Sequence, residues 1–234
     1  MIAQEDMPVN AFYKLFYYTF IFEDRYTIFL TGFVNTLILS VASFVCGTLF
    51  GILFCQMKRS GNKVLKKIAD TITTLLINTP TMVLLLLFVY VIFGSVSTPL
   101  MVIVVLALTI KTGSYICEII ATSFDTIDPG EIEAARTLGL SKNLAFRVIV
   151  LPQIISTGLE LYKNQFILNM QDTAVVGYIA LVDLTRASSI VAARTMDSLL
   201  GLFTITIIYF VIGFVFKKLF DLMRVRKHIG VETV

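Results

Sequence analysis

The chain has 234 residues, of which 57% are hydrophobic and 15% charged, and its formal net charge is +3. A soluble domain carries about 25% charged residues, so this composition excludes an ordinary cytosolic enzyme, and the apolar content excludes a disordered chain. Cys46, Cys55 and Cys117 lie inside apolar runs, and His228 is the single histidine. The sequence therefore offers neither a disulfide framework nor a histidine-based metal or catalytic cluster. The small net charge also argues against a nucleic-acid partner.

The first segment, residues 1–27, is rich in aromatic residues and carries acids at Glu5 and Asp6. A cleaved signal peptide would begin with basic residues followed by a compact apolar core, and this segment lacks both. Its pattern favours an extracytoplasmic segment that lies in the membrane interface as a helix.

Four apolar stretches reach the ~20 residues that a helix needs to cross a bilayer, and a fifth is apolar but interrupted by polar residues. The predicted spans are residues 28–54, 72–93, 100–120, 148–182 and 199–220. They predict an all-α, polytopic membrane protein with five transmembrane helices, whose transmembrane domain covers residues 28–220. A basic tail follows at 221–234.

Basic residues are distributed unevenly between the two sides of these spans. Thirteen of them fall in the first loop, the third loop and the tail, whereas four fall on the opposite side, namely Lys14, Arg25, Arg186 and Arg194. Because loops rich in Lys and Arg stay in the cytoplasm, the N-terminus is expected outside and the C-terminus in the cytoplasm. An odd number of spans agrees with termini on opposite sides.

The loop between the third and fourth predicted spans, residues 125–147, contains a strong helix signal. Asp128 suits the N-cap, Pro129 the first helical position and Gly139 the stop, while Ser141 can cap a second helix. A short helix of about three turns is therefore expected across the cytoplasmic face. It would present small apolar side chains that another protein surface could approach closely: Ala134, Ala135 and Leu138. An amphipathic helix resting on lipid would fit the same pattern.

The same region carries a spaced signature: Glu133-Ala134-Ala135, three residues, Gly139, nine residues, Ile149, one residue, and Leu151-Pro152. This string resembles the EAA motif of permease subunits in bacterial ATP-binding-cassette importers. In that family the capped helix docks into a groove of a separate ATPase subunit and transmits its closure to the membrane helices. The resemblance implies the type I importer permease architecture, with 125–147 as the coupling segment. It also implies a set of coupling residues: Glu133, Ala134, Ala135, Leu138, Gly139, Ile149, Leu151 and Pro152.

Further strings resemble the polar amino-acid branch of that family, which carries histidine, glutamine, glutamate, arginine and opines. They are residues 36–40, Thr79-Pro80, Ser114-Tyr115 with Glu118, Asn164-Gln165-Phe166 and Gln171-Asp172-Thr173-Ala174. The chain departs from the family at residues 77–78, 121–122 and 171–174, where the family usually has Arg-Gly, Arg-Gly and Lys-Asp-Thr-Ser. The resemblance implies import of a polar amino acid across a bacterial cytoplasmic membrane, and the departures bear on the choice of substrate.

Ionisable residues at membrane depth normally face a bundle interior or a wet cavity, because placing one in lipid costs at least ~2.5 kcal/mol. Lys111, Ser114 and Glu118 share one face of the third span, with Tyr115 beside them. Two interpretations follow for this face. Either a Lys–Glu pair fixes helix packing, or the face lines a translocation path.

The fourth span also carries polar residues. Glu160 and Lys163 are one turn apart and are expected to pair with each other. Five other polar side chains near mid-membrane can form hydrogen bonds with a zwitterionic solute: Asn164, Gln165, Gln171, Asp172 and Thr173. The resemblance implies an amino-acid site at mid-depth and favours Gln165 and Asp172 as residues that line it. In the second span Asn78 and Thr79 stand beside Pro80, which bends a helix, so these two residues are candidates for the path as well. The bend is either simple packing or a gating hinge.

The sequence contains no Gly-x-x-x-x-Gly-Lys-Ser/Thr phosphate loop, so the chain is expected to be a transport subunit rather than an enzyme and to bind no cofactor. ATP and Mg²⁺ are expected on partner ATPase subunits. Five spans are too few to enclose a polar path, so a second permease subunit, identical or related, is expected. An extracytoplasmic amino-acid-binding protein would deliver solute near the loops at 94–99 and 183–197, and lipid would surround the spans.

A proton-coupled secondary amino-acid carrier is the alternative function. It would use Glu118 or Asp172 as the proton site and would need no ATPase partner. A membrane scaffold without transport is a third possibility, but it leaves the polar faces at membrane depth unexplained.

Overall fold

The computed structural model describes residues 13–228, in which the regular elements are helices and no strand occurs. A π-helical turn (Tyr17–Ile21) and a 3₁₀ turn (Phe22–Asp24) precede the first long helix. The helices are α1 (Tyr26–Lys58), α2 (Lys63–Asn78), α3 (Thr81–Leu86), α4 (Leu100–Asp125), α5 (Pro129–Thr137), α6 (Lys142–Ala145), α7 (Leu151–Asp172), α8 (Leu184–Thr195) and α9 (Leu199–His228). A π-helical turn extends α3 (Leu87–Ile92), another joins α6 to α7 (Phe146–Val150), and a 3₁₀ turn follows α7 (Thr173–Ile179).

Four helical stretches of the described chain are long and apolar enough to cross a membrane: Tyr26–Lys58, Leu100–Asp125, Lys142–Ile179 and Leu199–Leu222. The bent pair of α2 and α3 supplies a fifth when it is counted as one span. The prediction of an all-α, polytopic protein is therefore confirmed. The side of the membrane on which each terminus lies stays a prediction. Residues 1–12 of the predicted amino-terminal segment and 229–234 of the predicted tail lie outside the described residues.

The second predicted span is not the single kinked helix that its apolar run suggested. Its two halves, α2 and α3, meet at an angle of 109°. Thr79 and Pro80 are both extended there, because proline disfavours helical backbone at the residue before it. Two side chains bind carbonyl groups of the last turn of α2, Asn78 Nδ2 donating to Thr74 O and Thr79 Oγ1 to Leu75 O, each at 2.8 Å. The Thr79 bond satisfies the Leu75 carbonyl, one of the four that the end of the helix leaves without a backbone partner.

The helices divide into a central unit, residues 39–172, and a terminal unit built from residues 13–38 and 173–228. In the central unit α4 packs against α7 and α2, and it also approaches α1 closely. A Cβ atom added to Gly51 of α1 would lie 2.7 Å from the carbonyl oxygen of Gly113 in α4. Small residues thus let these two backbones touch, as is common between membrane helices.

In the terminal unit, residues 183–197 do not form the loop that was expected. Most of this stretch is α8, whose N-cap is Asp183. The carboxylate of Asp183 is buried and accepts hydrogen bonds from the backbone N–H groups of Thr185 and Arg186, both at 2.9 Å. Burial raises the pKa of this carboxyl, and the two N–H donors oppose that rise. Polar and apolar residues alternate in this stretch as they do in an amphipathic helix, a pattern that was interpreted as a loop.

Candidate functional site

A polar cluster in the central unit joins three helices beside the bend between α2 and α3. Lys111 of α4 donates to the hydroxyl of Thr81 in α3, and that hydroxyl donates to Asp172 Oδ1 at 2.8 Å. Lys111 Nζ lies 3.9 Å from Asp172 Oδ2. The Lys111 side chain is 8% exposed and that of Asp172 is 30% exposed. The pairing compensates the buried ammonium group and leaves one side of the carboxylate accessible.

Glu118 does not belong to this cluster, so the interpretation in which Lys111 and Glu118 pair with each other is wrong. The two residues are seven positions apart, which on a helix separates them by about 10 Å along the axis. Glu118 instead pairs with Lys58 at the end of α1, and Lys58 Nζ also lies 3.2 Å from Asp70 Oδ1 of α2. The face of α4 therefore carries two separate charge clusters, each bridging to other helices.

Tyr115 lies one turn from Lys111 on α4, and its hydroxyl donates to the carbonyl of Ile77 at 3.4 Å, next to the bend. The neighbouring polar face of α2 borders an open depression of about 640 Å³, lined by Asp70, Thr71, Thr74, Leu75, Asn78 and Thr79. Asn78 and Thr79 thus border open space, as the prediction of path residues requires. Ser114 does not, because its side chain is fully buried and its hydroxyl donates to the carbonyl of Ile110 at 2.8 Å.

The candidates in the fourth span separate into different environments. Asp172 reaches the Lys111 cluster, whereas Asn164 and Gln171 are exposed on the described surface, and Gln165 and Thr173 are buried. Glu160 and Lys163 form the expected ion pair, with 2.5 Å between Oε2 and Nζ. Of these predicted positions, the structure therefore brings Asp172 alone to Lys111.

A buried amide that the sequence interpretation missed, Asn169 of α7, holds three helices of the central unit together. Its Oδ1 accepts from Thr112 Oγ1 at 2.7 Å, and its Nδ2 donates to Ser43 Oγ at 3.0 Å and to the carbonyl of Ser40 at 2.9 Å. The side chain is fully buried. Its position four residues after Gln165, on the same helix face, was the available signal.

The short capped helix predicted in residues 125–147 is present as α5, and its capping follows the prediction. The Asp128 side chain accepts from the N–H of Gly130 at 2.8 Å, with Pro129 at the first helical position. Gly139 ends the helix in the left-handed region, at φ +88°, where other residues would be strained. The Ser141 side chain then caps α6 by accepting from the N–H of Leu144 at 3.3 Å. The helix has nine residues, about two and a half turns.

Helix α5 contacts the two long helices that precede and follow it in the chain. The Gln153 amide of α7 donates to Glu131 Oε2 at 2.5 Å. Beneath it, Ile127 packs with Val150 and Ile154, and Phe124 at the end of α4 contacts this cluster. The end of α4 and the start of α7 are therefore packed together beside α5.

The outward face of the coupling segment differs in one position from the prediction. Leu138 is 81% exposed and Ala134 is exposed, but Ala135 is 3% exposed and packs inward. Ala135 was expected on the smooth contact face and is instead part of the support, because it lies on the side of α5 that meets the protein. Of the remaining signature residues, Ile149 is half-buried. The other four are exposed: Glu133, Gly139, Leu151 and Pro152.

Similarity to known proteins identifies the family of this chain. Residues 43–227 match the family described as the inner membrane component of binding-protein-dependent transport systems. The chain belongs to this family. The matched region contains the Lys111 cluster, residues 125–147 and the Asn169 network except Ser40.

Other members of this family are similar to the chain over most of its length. The nopaline transport system permease protein NocQ of Agrobacterium fabrum is 25% identical over 205 residues, covering 80% of this chain and 85% of the relative. The histidine/lysine/arginine/ornithine permease HisM of Salmonella typhimurium is 30% identical over 201 residues, covering 81% and 86%.

Solved structures agree with this membership. A crystal structure described as an amino acid ABC transporter with histidines shares 34% sequence identity at a TM-score of 0.78, covering 88% of this chain and 98% of that chain. The inward-facing MetNI methionine transporter, 19% identical at a TM-score of 0.66, shares the fold. The chain is therefore a permease, the membrane-spanning subunit of an ATP-binding-cassette importer. None of these relatives supports the proton-coupled alternative.

Proposed function

We propose that this permease imports a polar amino acid across a bacterial cytoplasmic membrane, with its N-terminus outside and α5 in the cytoplasm. The nopaline and histidine systems named above support a polar, zwitterionic class of substrate. ATP and Mg²⁺ bind on separate ATPase subunits, and this chain holds no cofactor. A second permease subunit completes the path, and an extracytoplasmic binding protein delivers the solute.

The observation that carries the proposal is the geometry of the coupling segment. Leu138, which follows the last residue of α5, is exposed together with the neighbouring surface of this helix, and the helix is capped at both ends. An exposed leucine on a rigid, well-capped helix suits a protein partner, since the contact needs no reordering of the segment. Through Gln153 and the apolar cluster around Ile154, movement of that partner reaches α4 and α7.

The solute path lies where α4 and α7 carry the cluster beside the bend. Asp172 has an accessible side and can accept hydrogen bonds from the ammonium group of a solute. Lys111 and Thr81 hold the carboxylate in place, and Tyr115 narrows the approach. Because α4 and α7 also support α5, force applied at the coupling segment alters the spacing of Lys111 and Asp172.

The experiment that tests the docking role uses the variant Leu138→Asp. Leu138 is exposed, so the variant is expected to insert and fold, while a carboxylate on the contact surface weakens capture of the ATPase subunit. Pull-down from membranes that contain both subunits measures this. Met196→Asp is the matched control, because Met196 is 92% exposed in the segment between α8 and α9. Normal capture by Leu138→Asp, or equal loss in both variants, would contradict the proposal.

The substrate class is tested separately. Thermal-shift measurements on the cognate binding protein with a panel of amino acids identify the solute, and uptake by the reconstituted transporter confirms it. Stabilisation by a polar amino acid is the expected result. Stabilisation by sugars or metal ions, with no response to amino acids, would contradict the substrate proposal and leave the coupling role intact.

A further inference from the structure

A cavity of about 490 Å³ lies in the terminal unit, between the turns that precede α1 and the end of α8. The described residues of its lining include three cations and no acid. The polar and aromatic groups that matter here are Lys14, Tyr18, Thr19, Arg25, Arg194 and Thr195. None of its lining residues belongs to the Lys111 cluster or to the coupling segment.

Arg25 is the buried member of the three cations, at 5% exposure. One terminal nitrogen donates to the carbonyl of Tyr18 at 2.7 Å, the other pairs with Glu23 at 3.1 Å, and the guanidinium carbon lies 5.0 Å from the centre of the Phe22 ring. Its Nε atom is buried and has no hydrogen-bond partner among the described residues. These contacts hold the guanidinium in place, so Arg25 contributes a fixed positive charge at the wall of the cavity.

The three basic residues of the lining favour an anion. Glu23 pairs with Arg25, and its side chain is 58% exposed, so it offsets a part of the charge of Arg25. Arginine and lysine together bind phosphate well, because the guanidinium forms directed hydrogen bonds and the ammonium adds a mobile charge. The hydroxyl groups of Thr19 and Thr195 add further polar atoms at the wall.

The position of the cavity specifies where the anion comes from. It lies just before α1, the first membrane-spanning helix, among exposed aromatic side chains. Their exposures range from 36% to 65%: Tyr13, Tyr17, Tyr18, Phe22 and Tyr26. Belts of exposed tyrosine mark the level of the lipid headgroups, so a basic pocket at this level faces the phosphate groups of the lipids.

We propose that this cavity binds the phosphodiester headgroup of an anionic phospholipid, in the leaflet where α1 begins. The exposed side chains of Lys14 and Arg194 donate hydrogen bonds to the phosphate, and the buried charge of Arg25 attracts it. The bound lipid fastens the amino-terminal turns to the end of α8. The site requires only that the chain spans a membrane, so it is independent of the proposed substrate.

The test measures phospholipid binding to the full-length chain in detergent by native mass spectrometry, with phosphatidylglycerol and phosphatidylcholine as probes. Phosphatidylglycerol is expected to bind more tightly, because the choline group of the other lipid is repelled by the three cations. Lys14→Gln and Arg194→Gln change exposed side chains, so folding is preserved. Each is expected to weaken phosphatidylglycerol binding by about fivefold.

Arg186→Gln is the matched control, because Arg186 is an exposed arginine of the same helix, α8, and does not line the cavity. It should leave lipid binding unchanged. Free glycerol 3-phosphate distinguishes a headgroup from a soluble anion. Binding of glycerol 3-phosphate to the chain at concentrations at which phosphatidylglycerol does not bind would overturn the lipid assignment. Equal phosphatidylglycerol binding by wild type, Lys14→Gln and Arg194→Gln would overturn the site itself.

Discussion

Replacing Asn169 with leucine is expected to destabilise the central unit. The amide joins α7 to α1 and α4 through hydrogen bonds to Ser40, Ser43 and Thr112, and it is fully buried. Leucine has nearly the same size and shape but no polar atom. The substitution therefore removes three interhelical hydrogen bonds without opening a large cavity.

The magnitude follows from these contacts. Hydrogen bonds between membrane helices contribute about 0.6 kcal/mol on average and up to about 1.7, so three of them contribute about 2 kcal/mol. The Thr112 hydroxyl also loses its buried acceptor, which adds about 1 kcal/mol. The unfolding free energy of Asn169→Leu should fall by about 2–3 kcal/mol. Adding Thr112→Val should cost less than the sum of the two single changes, because it removes the orphaned hydroxyl.

The chain has no tryptophan whose fluorescence could report unfolding, so unfolding is followed by the reactivity of cysteine thiols. Cys55 and Cys117 are buried, whereas Cys46 is exposed, so a Cys46→Ser background leaves two thiols that react only when the helices separate. Titration with SDS in the presence of a thiol-reactive dye then gives the unfolding free energy. The control is Asn164→Leu, an exposed position on the same helix. The reasoning would be refuted if the unfolding free energy of Asn169→Leu were within about 0.5 kcal/mol of the wild-type value, or if Asn164→Leu lowered it by as much as Asn169→Leu does.

Two further substitutions test the packing and the polar cluster. Gly51→Ala places a Cβ atom 2.7 Å from the carbonyl oxygen of Gly113 and should lower the unfolding free energy by about 1–3 kcal/mol, whereas Gly61→Ala, with no atom within 4 Å, should not lower it. Equal stability of the two variants would contradict the close approach of α1 and α4. Lys111→Met leaves Asp172 without its cation and should reduce uptake by about tenfold or more. The double variant with Asp172→Asn should be more stable than Lys111→Met alone, and a less stable double variant would contradict the pairing.

Local signals in the sequence predicted the local features of the fold. Asp128, Pro129, Gly139 and Ser141 act through bonds and backbone angles within a few residues, so their caps could be placed from the sequence. The apolar runs likewise predicted the long helices. Ala135 was misplaced because helical spacing shows which residues share a face, but not which side of a short helix the rest of the protein covers.

Contacts between helices were less predictable, because helical spacing does not show which side of a helix faces its neighbours. Lys111, Glu118 and Asp172 were all identified as polar residues at membrane depth, yet their partners depend on the rotation of each helix about its axis. The sharp bend at Pro80 depends on two consecutive extended residues, and proline alone predicts only that the helix is disturbed. Asn169 was missed because a single amide in an apolar run gives no sign of the three groups that it binds.

Cross-linking from position 138 tests the central claim, that α5 receives the force of a separate ATPase in the cytoplasm. The variant Leu138→Cys, in a background in which the three native cysteines are replaced, places one thiol on the exposed face of α5. We expect a membrane-impermeant thiol reagent to label it only from the cytoplasmic side. We also expect a bifunctional reagent to join it to the ATPase subunit and stop uptake. Labelling from outside, or uptake that continues while the two chains are joined, would contradict the account.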